Sequence, residues 1–303
     1  MNISNIEAFL AIVSTRSISK AADLLFLSQS TVSLQLKTLE DELGFKLIER
    51  QKGMRYVELT REGKGFISIA ERFIQLNKDA KDIRLENKLS LTIGSVDSLN
   101  MYIFANLYQQ IFFGENPMNL VILTQHSPEI YDQIDNHLID VGLVPRKMYR
   151  QNIIVEPIFR EKVFMVRMGE KQTAQKKYET VHPKNLIFEN EVLFKSDHEF
   201  MQWHDSWCNP KSYPKVQVDT ITLLLNFLKN DYWSILPASI IKVLERSYPI
   251  QVAVLEEGPP DKICYKITHK YPMHLQTGII KAFEEKLSEY LEENSYSLQL
   301  TLL

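Results

Sequence analysis

The stretch SISKAADLLFLSQSTVSLQLKTLEDELG, residues 17–44, decides the fold of the first part of this chain. Its hydrophobic spacing predicts two short helices joined by a tight turn. Ser17 and Ser28 are placed to cap these helices, because a hydroxyl oxygen can accept the unpaired N–H groups of a first turn. Gly44 stands where a helix end favours a residue that tolerates positive φ.

The second helix of this pair has one apolar face and one outward face. Its apolar residues recur at spacings of four, three and four: Val32, Leu36, Leu39 and Leu43. At about 100° per residue, the opposite face carries Ser30, Ser33, Leu34 and Lys37. Two such helices at a steep angle form the helix-turn-helix arrangement that presents a recognition helix to the DNA major groove. Amphipathic helix pairs also occur in proteins with other functions, so the pattern by itself leaves both interpretations open.

Residues 45–63, FKLIERQKGMRYVELTREG, predict two short strands around a turn at 51–53, which is a β-wing. Basic residues concentrate in and beside this segment: Lys46, Arg50, Lys52, Arg55, Arg61 and Lys64. Next to a recognition helix, such a wing is expected to contact DNA phosphates or the minor groove. A solvated hairpin is the plainer alternative.

The segment from Thr60 to about Asn87 predicts one long helix. Apolar residues recur on it at spacings of three and four, as in a heptad seam: Phe66, Ile69, Phe73, Leu76, Ala80 and Ile83. An exposed seam on a long helix needs a partner, so we expect homodimerisation through these residues.

A different pattern begins at residue 89. The apolar runs LTIGSV, LVILTQ and DVGLV alternate with helical segments at 98–113 and 128–138, which predicts a βαβαβ unit with a parallel sheet. Further strands and helices follow, and a closing helix from Leu275 to Glu292 is expected to pack back on the first sheet. The fold class is therefore α/β and multidomain.

Residues 1–65 closely resemble the N-terminal domain of LysR-type transcriptional regulators. The residues that carry the resemblance are Phe9, Val13, Ser17, Ala21-Ala22, Leu25, Ser28-Gln29, Ser33, Leu36, Leu39-Glu40, Leu43-Gly44, Leu47, Arg50, Leu59-Thr60 and Gly63. Ser30 departs from the proline that the family usually has, and Ile48 departs from its usual phenylalanine. The resemblance continues into the family's effector-binding domain, which is similar to two-lobed periplasmic binding proteins. There it rests on Ile93-Gly94, Asn116-Pro117, Ile139-Asp140-Val141 and Leu236-Pro237, although Asn230-Asp231 replaces the usual glycines.

The resemblance implies a winged helix-turn-helix domain over 1–60 and a linker and dimerisation helix over 61–88. The effector-binding domain would span 89–303, with lobe I at about 89–164 and 267–303 and lobe II at about 165–266. A ligand-responsive transcription regulator is the function implied, acting as a homodimer or homotetramer on double-stranded DNA. RNA polymerase is a further candidate partner.

Two sets of site residues follow from these patterns. The expected DNA-binding residues are Ser28, Gln29, Ser30, Thr31, Ser33, Leu34, Lys37, Arg50 and Arg55. Small molecules bind α/β sheets in the crevice beyond the C-terminal strand ends. That rule, with the family positions, nominates Ser95, Asp97, Ser98, Gln125, His126, Ser127, Ser196, Asp197, Thr220 and Thr222. Capping is the alternative role for several of them.

Asp97 bears on the effector's chemistry. A helix start presents N–H groups that suit a carboxylate ligand, but an aspartate there satisfies those donors and repels an anion. We therefore expect an effector that is not a simple carboxylate, or one that carries a compensating positive group.

Composition excludes several function classes. The net charge is −3, with 14 Lys and Arg against 12 Asp and Glu in residues 1–88, so basic charge is only mildly concentrated in that part. Cys208 and Cys264 are the only cysteines and lack metal-ligand spacing, as do His198 and His204 beside Cys208. We expect a cytoplasmic protein with no membrane span, metal, cofactor or enzymatic activity. The alternative is a small-molecule-binding or metabolic protein with an N-terminal interaction domain.

Overall fold

The chain forms two compact units, Met1–Lys88 and Leu89–Leu303. The computed structural model describes residues 2–49, 56–82, 90–169, 178–194, 197–229, 231–273 and 276–303. Arg50, Arg55, Ile83 and Ser196 lie outside these residues, as does the side chain of Ala80.

The first unit is a winged helix-turn-helix followed by a long helix. Its helices are α1 (Ile3–Thr15), α2 (Ile18–Leu25), α3 (Gln29–Leu43) and α4 (Arg61–Asp82). Strands β1 (Ile48–Glu49) and β2 (Glu58–Leu59) pair antiparallel as the base of the wing. The predicted caps are present: Ser17 and Ser28 accept backbone N–H groups of α2 and α3, and Gly44 ends α3 at φ 78°.

The core of the first unit lies between α1, the apolar stripe of α3 and the start of α4. The Phe66 ring on α4 lies 5.5 Å from the Phe9 ring on α1, and Phe66 is buried. Phe73 also packs against this core. The prediction that Phe66 belongs to a dimerisation seam therefore needs correction, because the core of its own subunit holds it. The half-buried Phe73 stays a prediction for that seam. Ile69 and Leu76 remain exposed.

The second unit contains two sheets, which define two lobes. Lobe I has a six-stranded sheet in the order β14-β6-β13-β5-β3-β4. Its strands are β3 (Ser90–Ser95), β4 (Asn119–Thr124), β5 (Val141–Val144), β6 (Ile153–Glu161), β13 (Lys262–His269) and β14 (Leu300–Leu302). As the βαβαβ pattern predicts, β3 is parallel to β4 and β5. The remaining pairs are antiparallel, so the sheet is mixed.

Helices cover the lobe I sheet. They are α5 (Asp97–Leu99), α6 (Ala105–Phe113), α7 (Ser127–Asp135) and α11 (Thr277–Leu298). A π-helical turn, Asn100–Phe104, connects α5 to α6. As expected, the closing helix α11 packs on this sheet, with Phe283 at the centre of the contact. It runs further than predicted and leads directly into β14, which the sequence pattern did not predict.

Lobe II has a four-stranded sheet in the order β11-β7-β12-β8 and a two-stranded sheet in the order β10-β9. The strands are β7 (Val163–Met168), β8 (Glu179–Val181), β9 (Val192–Phe194), β10 (Val216–Val218), β11 (Trp233–Pro237) and β12 (Ile250–Leu255). The helices are α8 (His198–Trp207), α9 (Ile221–Phe227) and α10 (Ala238–Ser247). The sequence pattern did not predict α10.

The chain crosses between the lobes twice, at Lys162 and between Leu255 and Lys262. The second crossing lies before β13, because that whole strand pairs with β5 and β6 of lobe I. The sequence analysis expects residues 262–266 in lobe II, but they belong to lobe I. The C-terminal ends of β3, β5 and β11 lie toward these crossings. The candidates that directly follow β3 therefore lie on the side of the lobe I sheet that faces the crossings.

Candidate functional site

The outward face of α3 is open to solvent. Gln29, Ser30 and Lys37 are exposed, and Leu34 is 64% exposed although it is apolar. Ser33 and Thr31 are half-buried. The Ser28 hydroxyl is engaged in capping: its oxygen accepts the Thr31 N–H at 3.1 Å and lies 2.7 Å from the Ser30 and Thr31 hydroxyls. The face therefore offers an amide, hydroxyls, one cation and one apolar side chain for contact with another molecule.

Glu40 fixes the wing to this helix, a role that the sequence analysis missed. Its Oε1 atom accepts the N–H groups of Leu47 at 2.9 Å and Ile48 at 3.3 Å, and its Oε2 atom lies 2.7 Å from Lys46 Nζ. Glu40 is only 6% exposed. An acidic residue beside the apolar stripe of α3 was the sequence signal that could have indicated these hydrogen bonds.

The predicted crevice residues of lobe I are largely committed to the fold. Ser95 is fully buried and donates its hydroxyl to the Leu143 carbonyl at 2.7 Å. Ser127 is buried, while His126 and Glu129 form a reciprocal capping box at the start of α7. Asp97 and Ser98 lie half-buried in α5. The start of α5 has no side-chain cap, so the expectation that Asp97 satisfies its N–H donors is wrong for the described residues. The side-chain oxygen of Gln125 is buried and accepts no hydrogen bond from the residues that the structure describes.

Two residues of the π-helical turn add to the site. Asn100 donates to the Thr124 hydroxyl at 2.9 Å and accepts the Tyr108 hydroxyl at 2.8 Å, which ties the turn to the end of β4. Tyr102 packs against the apolar core of lobe II, so the turn contacts both lobes. Burial, followed by the nearby Asp97 carboxylate, raises the pKa of Tyr102. Helical periodicity gave no sign of this turn.

An ion pair joins the lobes across the crevice. Asp197 is the N-cap of α8 and accepts the Phe200 N–H at 2.8 Å, and its other oxygen lies 2.6 Å from Lys262 Nζ of lobe I. The ammonium also lies 4.8 Å from the centre of the Phe200 ring. Burial opposes ionisation of Asp197, but the Lys262 ammonium outweighs it and lowers the pKa of the carboxyl.

A second link joins the lobes at the first crossing. Glu161, at the end of β6, accepts the Ser239 N–H of α10 at 2.9 Å. Only 5% of Glu161 is exposed, and this burial raises the pKa of its carboxyl to about 7 despite the hydrogen bond from Ser239. Among the other lobe II candidates, Thr220 caps α9 and Thr222 is exposed.

The histidine and cysteine candidates have structural roles. His204 is fully buried, with its two ring nitrogens 2.7 Å from Glu191 Oε2 and 3.2 Å from Asp205 Oδ1. In the described parts of the chain, no three His, Cys, Asp or Glu residues are grouped as a metal site. Cys208 and Cys264 are buried free thiols, and burial raises the pKa of both.

No described helix is both long and apolar enough to span a bilayer.

A winged helix-turn-helix followed by a two-lobed α/β unit defines the class of one-component DNA-binding regulators with a ligand-binding domain. Residues 3–64 match the model described as "Bacterial regulatory helix-turn-helix protein, lysR family", and residues 86–278 match that described as "LysR substrate binding domain". The chain belongs to the LysR family.

Individual relatives are more distant. The chain is 25% identical over 201 residues to the hydrogen peroxide-inducible genes activator of Haemophilus influenzae, covering 65% of each chain. It is 26% identical over 208 residues to the regulator BenM of Acinetobacter baylyi, again covering 65% of each. Matches to the probable RuBisCO transcriptional regulators of Trieres chinensis, Thalassiosira pseudonana and Phaeodactylum tricornutum span 57–67% of the length of those relatives.

Solved structures share the fold over nearly the whole chain. Full-length CbnR in complex with its target DNA has a TM-score of 0.69 at 18% identity, covering 96% of this chain and 100% of that one. Full-length OxyR of Pseudomonas aeruginosa has a TM-score of 0.63 at 18% identity, covering 95% and 94%.

The raised pKa of Glu161 predicts a specific pH dependence of stability. The folded state holds this proton more tightly than the unfolded state, so the stabilising contribution is complete below the ordinary carboxyl pKa and is lost as the pH rises through about 7. Relative to Glu161→Gln, the unfolding free energy of the wild-type chain should fall by up to about 3 kcal/mol between pH 4.5 and 8.

Urea unfolding at several pH values measures this difference. Glu199→Gln, which alters an exposed carboxyl on α8, is the matched control and should show no such trend. Parallel pH profiles for wild type and Glu161→Gln would contradict the assignment.

Proposed function

We propose that this chain regulates transcription by binding double-stranded DNA through α3 and the wing, with its output modulated by a small molecule in the crevice between the lobes. The observation that carries the DNA-binding proposal is the exposed face of α3, whose opposite stripe is buried in the core. A cytoplasmic location and contact with RNA polymerase accompany this proposal, because a regulator of this kind acts at promoters.

The side chains of the α3 face suit the chemistry of the major groove. An amide such as Gln29 can make paired hydrogen bonds to adenine, and a hydroxyl such as Ser33 can bond to any base edge. Leu34 is exposed at a cost in hydration, which contact with a thymine methyl group would recover. Lys37 suits a phosphate, which positions the helix without reading sequence.

Gln29→Ala should therefore reduce discrimination between specific and altered DNA sites by about 1–3 kcal/mol. The loss arises because the altered side chain no longer distinguishes adenine from other bases. Fluorescence anisotropy on the DNA upstream of the chain's own gene, against a base-substituted copy, measures this discrimination.

Asp41→Asn, an exposed position in the last turn of α3, is the control and should change the two affinities equally. If wild-type chain binds both DNAs only weakly and equally while retaining a crevice ligand, the alternative of a ligand-binding or metabolic protein with an interaction domain is favoured.

We further propose that α4 dimerises through the exposed part of its apolar seam. Ile69 and Leu76 are 55% and 45% exposed and lie one heptad apart, at the solvent edge of the apolar stripe of α4. Arg72 lies between them on the same surface, and Gly65 lies one turn before Ile69. A second copy of α4 would cover these side chains and hold two recognition helices at a fixed separation.

The double substitution Ile69→Lys with Leu76→Lys should dissociate the dimer, because it places four additional cations in a paired apolar seam. Light scattering at micromolar concentration measures the mass. Glu71→Lys adds positive charge on a different side of α4 and should leave the dimer intact. A dimer that survives the double substitution overturns this interface, whichever higher assembly the chain forms.

The effector should be uncharged or cationic, and able to donate hydrogen bonds. Two acidic side chains lie at helix starts around the crevice: Asp97 in the first turn of α5 and Asp197 at α8. An added anion would be repelled by these two charges. The buried oxygen of Gln125 has no described donor, so it suits an N–H or O–H group of a ligand.

Matched ligands test this charge preference. Benzamidine, benzamide and benzoate share one shape but carry a positive, zero or negative charge. By calorimetry, benzoate should bind most weakly, and Asp97→Ser should improve its affinity by about tenfold, equivalent to about 1.4 kcal/mol. Glu115→Gln, at an exposed site, should not. Tightest binding by benzoate, unchanged in Asp97→Ser, would contradict the proposal.

A further inference from the structure

Lobe II contains a cavity that is partly open to solvent and separate from the crevice between the lobes. It is a cavity of about 310 Å³ on one face of the four-stranded sheet. Volumes of roughly 300–1,000 Å³ are typical of small-molecule sites. Its walls combine apolar side chains with three charged ones: Arg167, Glu179 and Asp231.

The direction of the strands places this cavity away from the crevice. Strand β7 begins beside the first crossing, and β12 ends beside the second. Arg167 and Gln251 lie at the opposite ends of those strands, paired with each other across the sheet. Helix α8 packs on the same face through Phe200, at the end nearer the crossings, where Asp197 meets Lys262. A ligand in the cavity therefore does not compete with a crevice ligand for these groups.

Neighbouring residues hold Arg167 in a fixed orientation. Trp233, Arg167 and Gln251 form one row across three adjacent strands. The Gln251 side-chain oxygen accepts the Arg167 Nε–H at 3.0 Å. This hydrogen bond does not use the two terminal nitrogens of the guanidinium. Trp233 is only 3% exposed, and its indole N–H donates to the Ile187 carbonyl at 3.2 Å, which holds one wall in place.

The charges in the cavity are complementary but separated. Glu179 on β8 pairs with Ala253 on β12, and Ala253 pairs with Met165 on β7. Arg167 lies two residues beyond Met165 on β7, on the same face of the sheet. Strand geometry puts the Cα atoms of Glu179 and Arg167 about 12 Å apart. Asp231 lies beyond Trp233 on the other side of Arg167. Within the described residues, none of the three charges forms a salt bridge, although all three line one space.

We propose that this cavity binds a small ammonium–carboxylate zwitterion, the chemical class of the free α-amino acids. The planar guanidinium of Arg167 matches a carboxylate with two parallel hydrogen bonds. Asp231 or Glu179 accepts the ammonium group, and Trp233 with Met165 contacts the apolar part of the ligand. The ligand thus supplies an anionic partner for the guanidinium and a cationic partner for one of the carboxylates.

Calorimetry on the wild-type chain, with each of the twenty L-amino acids as probe, tests the proposal. At least one should bind saturably below 10 mM. Its analogues that lack only the amino group or only the carboxyl group should bind at least tenfold more weakly. Arg167→Gln should reduce the affinity by a similar factor, while Arg160→Gln, an exposed arginine on β6, should not.

Fluorescence supplies a second measurement that reports on the cavity itself. The chain has three tryptophans, and Trp203→Phe with Trp207→Phe leaves Trp233 as the sole indole. The same amino acid should change its emission with the calorimetric affinity. No saturable binding by any of the twenty, equal binding by a single-charge analogue, or unchanged binding in Arg167→Gln would each overturn the proposal.

Discussion

Buried carboxylates that accept backbone N–H groups hold the functional parts of this molecule in place. Glu40 binds the start of β1 and so sets the wing beside the recognition helix. Glu161 and Asp197 do the same for the starts of α10 and α8, where the lobes meet. A carboxylate removed from water is costly unless its oxygens receive hydrogen bonds, so these contacts are stable only in the native arrangement. Each therefore specifies a geometry as well as contributing stability.

Local signals in the sequence predicted most of the first unit. Ser28 and Gly44 cap the two ends of α3, and their contacts lie within one turn of that helix, so neighbouring residues in the sequence predict them. The seam of α4 shows where such reasoning fails. Phe66 and Ile69 belong to the same heptad pattern, yet one is buried against α1 and the other faces solvent. Periodicity identifies an apolar stripe, but it does not say whether the same chain or a second copy covers each edge of it.

The second unit was predictable as alternating strands and helices, but its crevice was not. Lys262 and Asp197 are 65 residues apart in sequence, and Ser239 and Glu161 are 78 residues apart. The residues around Glu161 in the sequence do not indicate that its carboxyl group contacts α10, a helix that the sequence analysis did not predict. The general rule about strand ends nominates residues for the crevice, while the contacts among them depend on tertiary packing that no local pattern encodes.

The links between the lobes also constrain how a ligand can act. A ligand shifts a conformational equilibrium only through a difference in its affinity for the two states. Separating Asp197 from Lys262 would leave two partly buried charges without partners, so a ligand that opens this contact must replace one of them. A cation can take the place of Lys262 beside Asp197, and a neutral donor can bind without disturbing the pair. These two modes would favour different lobe arrangements, so the charge of the effector would decide which arrangement it stabilises.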